Sequence, residues 1–366
     1  MPVAAPPLAG RTIQAGGYAV TIGASLRDLG ASVVADASPA HRFAIVSDDT
    51  VGPLYGRDLT RALGDLGQAA LYTVPAGERH KSRESWASLS DQLLADGCGR
   101  DTTVVALGGG VVGDLAGFVA ATYMRGVPVV QCPTSLLAMI DASVGGKTGV
   151  DTPAGKNLVG AFHPPAAVVA DVATIRSLPL SHRRAGLAEA IKHGVIADAD
   201  YFAWLDGTRE ALLDAEPGAL LHCVARSVEI KSGVVGDDPF EQGRRRILNF
   251  GHTLGHALET VSGFTLLHGD AVAIGMVLEA RLAERVGVAT AGLAEAVLET
   301  VRRAGLPTSR PRDLDPAAVL EATARDKKRV GGAVGYALPA GVGRMAGAAN
   351  GWLVPVDAAL VREVLA

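Results

Sequence analysis

The first half of the chain alternates short runs of β-branched and aliphatic residues with longer segments of mixed polarity. The runs predicted as strands are FAIVSD (43–48), AALYTVP (69–75), TTVVALG (102–108), VPVVQCP (127–133) and AAVVADV (166–172). A helix is predicted between two of them, over SRESWASLSDQLLADG (82–97). Because strands that alternate with helices form parallel sheets, this half predicts an α/β domain whose sheet is covered by helices.

The second half lacks such runs and is rich in Ala, Leu, Glu and Arg. Its helical patterns cover 186–205, 217–236, 249–262, 268–287, 290–304 and 316–327. GGAVGYALPAGVGR (331–344) predicts either a β-hairpin or a return of the chain to the first domain. Since single cores stop growing near ~250–300 residues, a chain of 366 residues predicts two domains. We expect an α/β domain over 1–180 and an all-α domain over 181–366.

Composition excludes several classes of protein. Hydrophobic residues make up 48% of the chain, charged residues 20%, and the net charge of −4 gives no reason to expect a nucleic-acid partner. No apolar run approaches the ~18 residues of a membrane span, and MPVAAPPLAGRT has no basic start typical of a signal peptide. Three scattered cysteines suit a reducing compartment. We expect a cytoplasmic protein with neither a membrane nor a nucleic acid as partner.

TVVALGGGVVGDLAG (103–117) combines a strand, a glycine cluster and a helix. Gly108, Gly110 and Gly113 match the G-x-G-x-x-G spacing that lets a pyrophosphate approach a helix N-terminus. No acidic residue stands clearly about 20 positions further on, as the dinucleotide fingerprint requires. Asp114, in the first predicted helical turn, either faces the phosphate or merely complements the helix dipole. A dinucleotide site and an ordinary βα turn both remain open at this point.

Two further loops carry lysines. PAGERHKS (75–82) holds Glu78 and Lys81, and PTSLLAMIDASVGGKTGVDTPAGKN (133–157) holds Lys147 and Lys156 beside glycines. Lysines in loops are usually solvated, but lysines beside glycine and polar residues favour anion binding. Thr134 and Ser135 in the second loop can cap a helix.

A third group of segments predicts a metal site. GLAEAIKHG (186–194), NFGHTLGH (249–256) and LLHGD (266–270) supply one acidic residue and three histidines, the ligand types of a catalytic zinc. His252 and His256 lie four apart, so both project from one helix face. Either both bind the metal, or one binds it and the other faces the substrate. Glu189 beside Lys192 also has the spacing of a surface ion pair.

At this point the chain resembles the 3-dehydroquinate synthase family along essentially its full length. The matching segments are PAGERHKS, DTTVVALGGGVVGDLAGFVAATYMRG, PTSLLAMIDASVGGKTGVDTPAGKNLVGAFHPP, GLAEAIKHG, the spaced Lys231, Glu241 and Arg245, NFGHTLGHALE, LHGDAVAIGM and RDKK (325–328). The resemblance implies a dehydroquinate synthase-like fold, with an N-terminal Rossmann-like α/β domain that binds NAD. It also implies an all-α C-terminal domain that binds Zn²⁺ or Co²⁺ and the substrate.

The resemblance also implies a role for individual residues. The metal ligands are Glu189, His252 and His268. The NAD contacts are Asp48, Glu78, Lys81, Gly110, Val111, Val112, Gly113, Asp114, Thr134, Ser135, Asp141, Lys147, Lys156, Thr174, Ile175, Arg176 and Ser177. The substrate and catalytic residues are Asp141, Lys147, Asn157, Lys192, Lys231, Glu241, Arg245, Asn249, His256 and Lys327. Arg125 matches an arginine that reaches a neighbouring subunit, which implies a homodimer.

Two positions depart from the family pattern. Ser135 replaces a more usual threonine and keeps the hydroxyl, whereas Pro239 stands in the acidic run before Glu241 and bears on the geometry of that loop.

The family reaction turns 3-deoxy-D-arabino-heptulosonate 7-phosphate into 3-dehydroquinate and phosphate, the second step of the shikimate pathway. It proceeds by NAD-dependent oxidation, phosphate elimination, reduction and an intramolecular aldol closure. Three alternatives remain: a sister cyclase of the deoxy-inosose or valiolone type, a glycerol-dehydrogenase-like oxidoreductase, and a non-catalytic relative. The intact GGKTG loop disfavours a sister cyclase. A glycerol-dehydrogenase-like enzyme would be identified by net turnover of NAD. A non-catalytic relative would have lost metal or anion positions, and none is lost in this sequence.

Overall fold

The computed structural model describes residues 10–24, 27–153, 155–324, 329–330 and 333–366. They form two compact units. The first unit contains the described residues up to Leu178 together with Ala215–Ser232, and the second contains Pro179–Asp214 and the described residues from Gly233 onward. The sequence prediction divided the chain once, at 180, and therefore assigned 215–232 to the other half.

The first unit is an α/β structure. Its elements, in chain order, are β1 (Arg11–Ala15), β2 (Tyr18–Gly23), α1 (Arg27–Ala37), β3 (Arg42–Asp48), α2 (Arg57–Gly64), β4 (Gln68–Val74), α3 (Arg83–Ala95), β5 (Thr102–Gly108), α4 (Gly110–Thr122), β6 (Val129–Pro133), β7 (Lys147–Thr152), β8 (Gly155–Phe162) and β9 (Ala167–Asp171). All five predicted strands are confirmed, as β3, β4, β5, β6 and β9, and the predicted helix over 82–97 is α3.

Seven strands form one sheet in the order β1-β2-β9-β6-β5-β3-β4. Strands β2, β9, β6, β5, β3 and β4 are parallel, and only β1 in this sheet is antiparallel to its neighbour. The order of β9, β6, β5, β3 and β4 is that of a doubly wound sheet. The chain reverses its direction of winding between β3 and β5, so the carboxyl ends of these two strands flank the crevice where such sheets bind ligands. The glycine cluster after β5 lies at this edge.

Both faces of the sheet are buried, which explains why its strands read as continuous hydrophobic runs. Ala44 and Val46 of β3 pack with α3 and α4 on one face. Phe43 and Ile45 pack with α1 and α2 on the other.

Two hairpins were not predicted. Strands β1 and β2 pair antiparallel around Gly16 and Gly17, whose φ angles of 60° and 103° suit a two-residue hairpin turn. Strands β7 and β8 form a separate antiparallel pair. Lys147 and Lys156 therefore stand on strands of a hairpin, where the sequence indicated loops.

The second unit is largely helical, as predicted, and also contains two small sheets. The remaining elements of the chain are α5 (Leu180–Ala197), α6 (Ala199–Leu213), α7 (Pro217–Asp237), α8 (His252–Val261), α9 (His268–Arg285), α10 (Leu293–Arg303), α11 (Pro316–Ala324), β10 (Arg329–Val330), β11 (Ala333–Tyr336), β12 (Pro339–Gly341), β13 (Arg344–Met345), β14 (Val354–Val356) and α12 (Ala358–Leu365). Helix α7 belongs to the first unit up to Ser232. The region predicted as a hairpin contains β12 and β13, while β11 joins β10 and β14.

One predicted helix, over 186–205, is two helices. Asp198 adopts an extended conformation with φ −153° between α5 and α6, and its side chain accepts a hydrogen bond from the backbone N of Tyr201. Aspartate is a favoured N-cap, so it ends one helix and begins the next.

Glycines let α9 pack closely on its neighbours. A Cβ atom at Gly269 would overlap the backbone of Ala185 on α5, and one at Gly275 would overlap the carbonyl of Gly251, just before α8. A Cβ atom at Gly255 of α8 would lie 3.1 Å from the carbonyl oxygen of Ala271. Helix α9 is thereby held at a short distance from both α5 and α8. Within the described ranges, no helix has both the length and the apolar character required to cross a membrane.

Candidate metal centre and nucleotide site

Glu189, His252 and His268 come together from α5, α8 and α9. The Nε2 atoms of His252 and His268 lie 3.3 Å and 3.4 Å from the same oxygen, Oε1 of Glu189. One donor atom from each residue lies within 4.8 Å of the other two, a spacing that can hold a metal ion. The Glu189 side chain is fully buried. The metal ligand set implied by the resemblance is therefore assembled in space.

The second nitrogen of each imidazole faces an oxygen acceptor. Nδ1 of His252 lies 3.1 Å from the carbonyl oxygen of Phe250, and Nδ1 of His268 lies 3.2 Å from Oε2 of Glu259. Nδ1 of each ring therefore has its own acceptor, which leaves Nε2, the nitrogen that faces the Glu189 carboxylate, as the atom that can bind a metal when the ring is neutral.

Oε2 of the completely buried Glu189 is paired with Nζ of Lys192, and Oε1 faces the Nε2 atoms of both histidines. A buried carboxylate is costly unless cations or hydrogen-bond donors surround it. This donor set therefore fits a divalent ion such as zinc or cobalt, and Glu259 supplies the outer carboxylate that commonly orients a metal-bound histidine.

The protonation states of Glu189 and His252 favour metal binding, whereas His268 must release a proton when a metal binds. Burial alone would raise the pKa of Glu189, but Lys192 and His252 hold it well below its usual value. Burial and the neighbouring Lys192 lower the pKa of His252. Burial would also lower the pKa of His268, but hydrogen bonds and charges from Glu189 and Glu259 raise it to about 9. Glu189 is therefore ionised and His252 neutral at physiological pH.

His256 lies beside this centre but in a different environment. Its ring centroid is 5.2 Å from that of His252 and 5.8 Å from that of His268, and its side chain is exposed. His256, Glu259 and His268 form a second group with metal-ligand spacing. Because Glu259 already contacts Nδ1 of His268, we regard the group containing Glu189 as the metal site.

Lys192 forms an ion pair with Oε2 of Glu189, and its side chain is 1% exposed. The alternative that Glu189 and Lys192 form a surface pair is therefore wrong: the pair exists, but it is buried beside the metal ligands. Such a buried ammonium places a fixed positive charge at the centre.

The loop that follows α7 is closed by hydrogen bonds. Asp238 accepts from the backbone N atoms of Gln242, Gly243 and Arg245. Pro239 takes part in the closure, since its carbonyl accepts from Nη1 of Arg245 at 2.5 Å. Nδ2 of Asn249 donates to Oε1 of Glu241 at 2.7 Å. Pro239, which is unusual for the family, is thus accommodated in this loop, and Arg245 is only 2% exposed.

In the first unit, α4 begins at Gly110 directly after β5 and has no side-chain N-cap. Its first backbone N–H groups are therefore suited to an anion. A Cβ atom at Gly113 would lie 2.8 Å from Oε1 of Gln131 on β6, so this glycine allows close packing of the helix on the sheet. That is the role of the third glycine in a dinucleotide turn.

Asp114 stands beyond the first turn of α4, and it does more than complement the helix dipole. Its Oδ2 lies 2.8 Å from Nζ of Lys81, which is 3% exposed. The same ammonium lies 3.5 Å from Glu78 and 3.9 Å from Asp151. Burial opposes the charge of Lys81, but these carboxylates raise its pKa. Lys81 thereby links α4, the helix that follows the glycine turn, to the segments that carry Glu78 and Asp151.

A cavity of about 90 Å³ lies at the carboxyl ends of β5, β6 and β9. Its walls include Thr134 and Thr174, two of the expected NAD contacts, and also Tyr55, Asp58 and Leu59, which sequence reasoning did not select. The Tyr55 hydroxyl lies 2.7 Å from Oγ of Ser177. The pocket is thus lined by residues from five stretches of the chain that are distant in sequence.

The other expected NAD contacts are spread around this edge. Oδ1 of Asp48 accepts from the backbone N atoms of Thr50 and Val51. Oγ of Ser135 accepts from the backbone N of Ala138, as a capping residue would. Ile175 is completely buried and Arg176 is exposed.

The remaining predicted residues of the first unit differ in exposure. Nζ of Lys231 lies 2.8 Å from Oδ1 of Asp141, whereas Lys147 and Asn157 are exposed. Asn157 has a φ of 55°, and its backbone N donates to Oδ1 of Asp151. Arg125 is exposed, with a φ of 68°. Lys327 lies outside the described residues.

Sequence reasoning missed Glu259 and Asp151. Glu259 lies seven residues after His252, two turns along the same helix, so helical spacing could have identified it. Asp151 gave no such signal, because its link to Lys81 depends on the packing of β7.

Comparisons with known proteins identify the family of this chain. The N-terminal model of 3-dehydroquinate synthase matches residues 71–185, and the C-terminal model matches 186–329. The 3-dehydroquinate synthase of Xylella fastidiosa (strain M23) is 49% identical over 332 residues, which is 88% of each chain. The chain belongs to the 3-dehydroquinate synthase family. The predicted family and fold are thereby confirmed.

Solved structures of related synthases extend the likeness. A 2-deoxy-scyllo-inosose synthase with carbaglucose-6-phosphate, NAD⁺ and Co²⁺ is 26% identical with a TM-score of 0.90, covering 98% of this chain and 99% of its own. The 2-epi-5-epi-valiolone synthase of Streptomyces hygroscopicus subsp. jinggangensis 5008, solved with NAD⁺ and Zn²⁺, is 31% identical with a TM-score of 0.86, covering 97% of both chains. These members of the wider group hold the two kinds of cofactor that the family resemblance implies.

Proposed function

We propose that this protein is a 3-dehydroquinate synthase. It converts 3-deoxy-D-arabino-heptulosonate 7-phosphate to 3-dehydroquinate and phosphate. The observation that carries the proposal is the 49% identity to a 3-dehydroquinate synthase over 88% of both chains. The match of both family models to consecutive parts of the chain supports it.

The proposed cofactors are NAD and a divalent ion, Zn²⁺ or Co²⁺. When bound, they supply hydride transfer and polarisation of a substrate oxygen. Glu189, His252 and His268 would hold the ion, and the direction of their donor atoms supports this assignment. The uncapped start of α4, the Lys81 cluster and the cavity bounded by Thr134 and Thr174 would hold NAD.

The proposed substrate contacts carry the charges that a phosphorylated sugar acid requires. Lys192, Arg245 and Asn249 in the second unit, and Asp141, Lys147, Asn157 and Lys231 in the first, provide cationic and hydrogen-bonding groups. Arg245 offers a planar guanidinium suited to paired oxygens of a carboxylate or phosphate. His256 is exposed beside the metal ligands, where its imidazole can accept and return a proton near neutral pH.

A cytoplasmic homodimer is the proposed state of the protein. Met124, Arg125 and Gly126 have consecutive φ angles of 51°, 68° and 116°, and all three are exposed. Non-glycine residues in this region of φ are strained and often serve a function, which supports a role for Arg125 in contacting a second subunit. Sedimentation of the wild type and Arg125→Ala tests this assembly.

Product analysis tests the proposed activity. The heptulosonate phosphate, sedoheptulose 7-phosphate and glucose 6-phosphate are offered separately, and phosphate release and absorbance of NADH are followed. We expect rapid phosphate release with the heptulosonate phosphate alone and no net NADH. A deoxy-inosose or valiolone-type product from either other substrate would overturn the proposal in favour of a sister cyclase. Stoichiometric NADH would indicate a simple dehydrogenase instead.

A further inference from the structure

Glu279 of α9 is a fully buried carboxylate that the proposed chemistry does not use. Its Oε2 accepts a hydrogen bond from the backbone N of Gly251 at 2.7 Å, and its Oε1 accepts one from the backbone N of Leu254 at 3.0 Å. These two N–H groups lie on either side of His252, the first residue of α8. One side chain from a different helix therefore holds the turn that carries a metal ligand.

This contact replaces a local cap. Helix α8 begins after Gly251, whose φ of 78° is left-handed, and no residue of its own N-terminus provides a side-chain cap. The first N–H groups of a helix need acceptors, and a negative charge there is favourable. Glu279 satisfies both needs from α9, the helix on which His268 also stands.

Helical spacing places His268 and Glu279 on one face of α9. They are eleven residues apart, close to three full turns, and Gly275 lies between them on the same face. At Gly275 a Cβ atom would overlap the carbonyl of Gly251, so this face packs directly against the start of α8. The same surface thus provides one metal ligand and the anchor for the helix that provides another.

Glu279 reaches the His252 ring through a single peptide group. The N–H of Gly251 belongs to the same peptide as the carbonyl of Phe250, and that carbonyl lies 3.1 Å from Nδ1 of His252. Hydrogen bonds in series polarise one another. A carboxylate at the N–H end therefore makes the Phe250 oxygen a stronger acceptor, and this in turn fixes the tautomer and raises the basicity of Nε2.

We propose that Glu279 is a positioning residue for the metal ligand His252, acting through the Phe250–Gly251 peptide. The proposal rests on the metal site of the proposed function. The contacts between the two helices are reciprocal: Glu259 of α8 contacts His268 of α9, and Glu279 of α9 contacts the turn that carries His252 of α8.

Cobalt titration of the metal-free protein tests this proposal without any substrate. Glu279→Gln keeps the size of the side chain but removes its charge and one acceptor. We expect its Kd for Co²⁺ to rise by about 10- to 100-fold, as for other outer partners of metal ligands. We also expect the visible spectrum of bound Co²⁺ to change, because the direction and donor strength of His252 change. Glu279→Asp keeps the charge but is one methylene too short to reach both N–H groups, so its Kd should lie between those of Glu279→Gln and the wild type.

Asp198→Ala is the control for stability, since Asp198 caps α6 in the same unit and loss of such a cap costs about 0.5–2 kcal/mol. Both variants should lower the melting temperature of the metal-free protein, but Asp198→Ala should leave the Kd and the cobalt spectrum as in the wild type. If Glu279→Gln loses stability yet keeps the wild-type Kd and spectrum, the role is purely structural and the proposal is overturned. If Glu279→Gln does not fold, an unchanged Kd in Glu279→Asp overturns it equally. Wild-type protein that binds no Co²⁺ would instead contradict the metal site itself.

Discussion

At the scale of single residues, the chemistry of a side chain is decided by what surrounds it. His252 and His256 stand on the same helix four residues apart, but the first is buried with Nδ1 held by a carbonyl, and the second is exposed. Lys81 and Lys156 both contact Glu78, yet only Lys81 is nearly inaccessible. Substitutions at these paired positions separate the effect of environment from that of residue type.

His252→Ala and His256→Ala should differ in metal content. Loss of a metal ligand releases the ion, whereas loss of a proton-transferring group spares the ion and lowers the rate by about 10²- to 10⁴-fold. We expect His252→Ala to purify with little metal and His256→Ala to keep near-stoichiometric metal with low turnover. Elemental analysis beside steady-state kinetics measures both. Equal metal loss in the two variants would mean that His256 is also a ligand.

Lys81→Met should destabilise the protein most at neutral and higher pH. Removing one partner from a buried ion cluster costs about 3–5 kcal/mol, because the carboxylates remain. Lys156→Met, whose ammonium is 22% exposed, should cost about 1 kcal/mol or less. Denaturant unfolding of the NAD-free protein measures both losses.

The pH dependence of the Lys81→Met deficit follows from the carboxyl groups. Burial already raises the pKa values of Asp114 and Asp151, although Lys81 opposes this, and loss of the ammonium raises them further. A carboxyl whose pKa is higher in the folded state than in the unfolded state gains stability as the pH falls through the folded value. The deficit should therefore shrink in mildly acidic buffer. A deficit that stays constant with pH would contradict an electrostatic role for Lys81.

At the scale of elements, the metal centre depends on how closely three helices approach. Helices α5, α8 and α9 each contribute one ligand, and α9 packs against both others. Glycines at the contacts leave no room for a methyl group. The distances between the metal ligands are therefore set by helix packing. Glu259 orients the ring of His268, and Glu279 holds the turn that carries His252.

Gly275→Ala should weaken metal binding and stability together. Its methyl group would overlap the Gly251 carbonyl and push α8 away from α9, and overpacking of this kind typically costs about 1–3 kcal/mol. Gly207→Ala is the control, because Gly207 lies inside α6 with open space around it, where alanine is favoured by about 0.5–1 kcal/mol. Thermal unfolding and Co²⁺ titration of both variants measure the effects. Wild-type metal affinity in Gly275→Ala would show that the close approach is unnecessary.

At the scale of the whole molecule, the described residues form two compact units. The chain changes unit after Leu178, after Asp214 and after Ser232, so the first unit is completed by a segment from the second half. The candidate metal ligands all belong to the second unit, and the glycine turn with its lysine cluster belongs to the first. The two units can therefore be tested separately, the first by binding of NAD and the second by binding of a metal ion.

NAD and the metal should each raise the melting temperature. A ligand that binds only the folded state stabilises it by about 2.7 kcal/mol at a hundredfold excess over its Kd. We expect His252→Ala to lose the stabilisation by metal and to keep that by NAD. Chelation should abolish activity, and zinc or cobalt should restore it. Full activity in protein proven metal-free by elemental analysis would contradict the metal assignment.

The sequence by itself determined the types and places of most elements. The run 102–108 is β5 to the residue, and the helical spacing over 268–287 corresponds to α9, because a buried face imposes its period on the chain. The residue types of GLAEAIKHG, NFGHTLGH and LHGD also indicated a metal centre before any geometry was known. Local preferences and side-chain chemistry carry this information.

Only the tertiary structure decided which distant residues meet. It set the strand order, paired β1 with β2 and β7 with β8, and grouped 215–232 with the first unit. It also turned both Nε2 atoms towards Glu189 and brought Glu259 and Glu279 to the metal-binding helices. No local pattern encodes these contacts, because they depend on packing between elements far apart in the chain, where one methyl group more or less decides how closely two helices can approach.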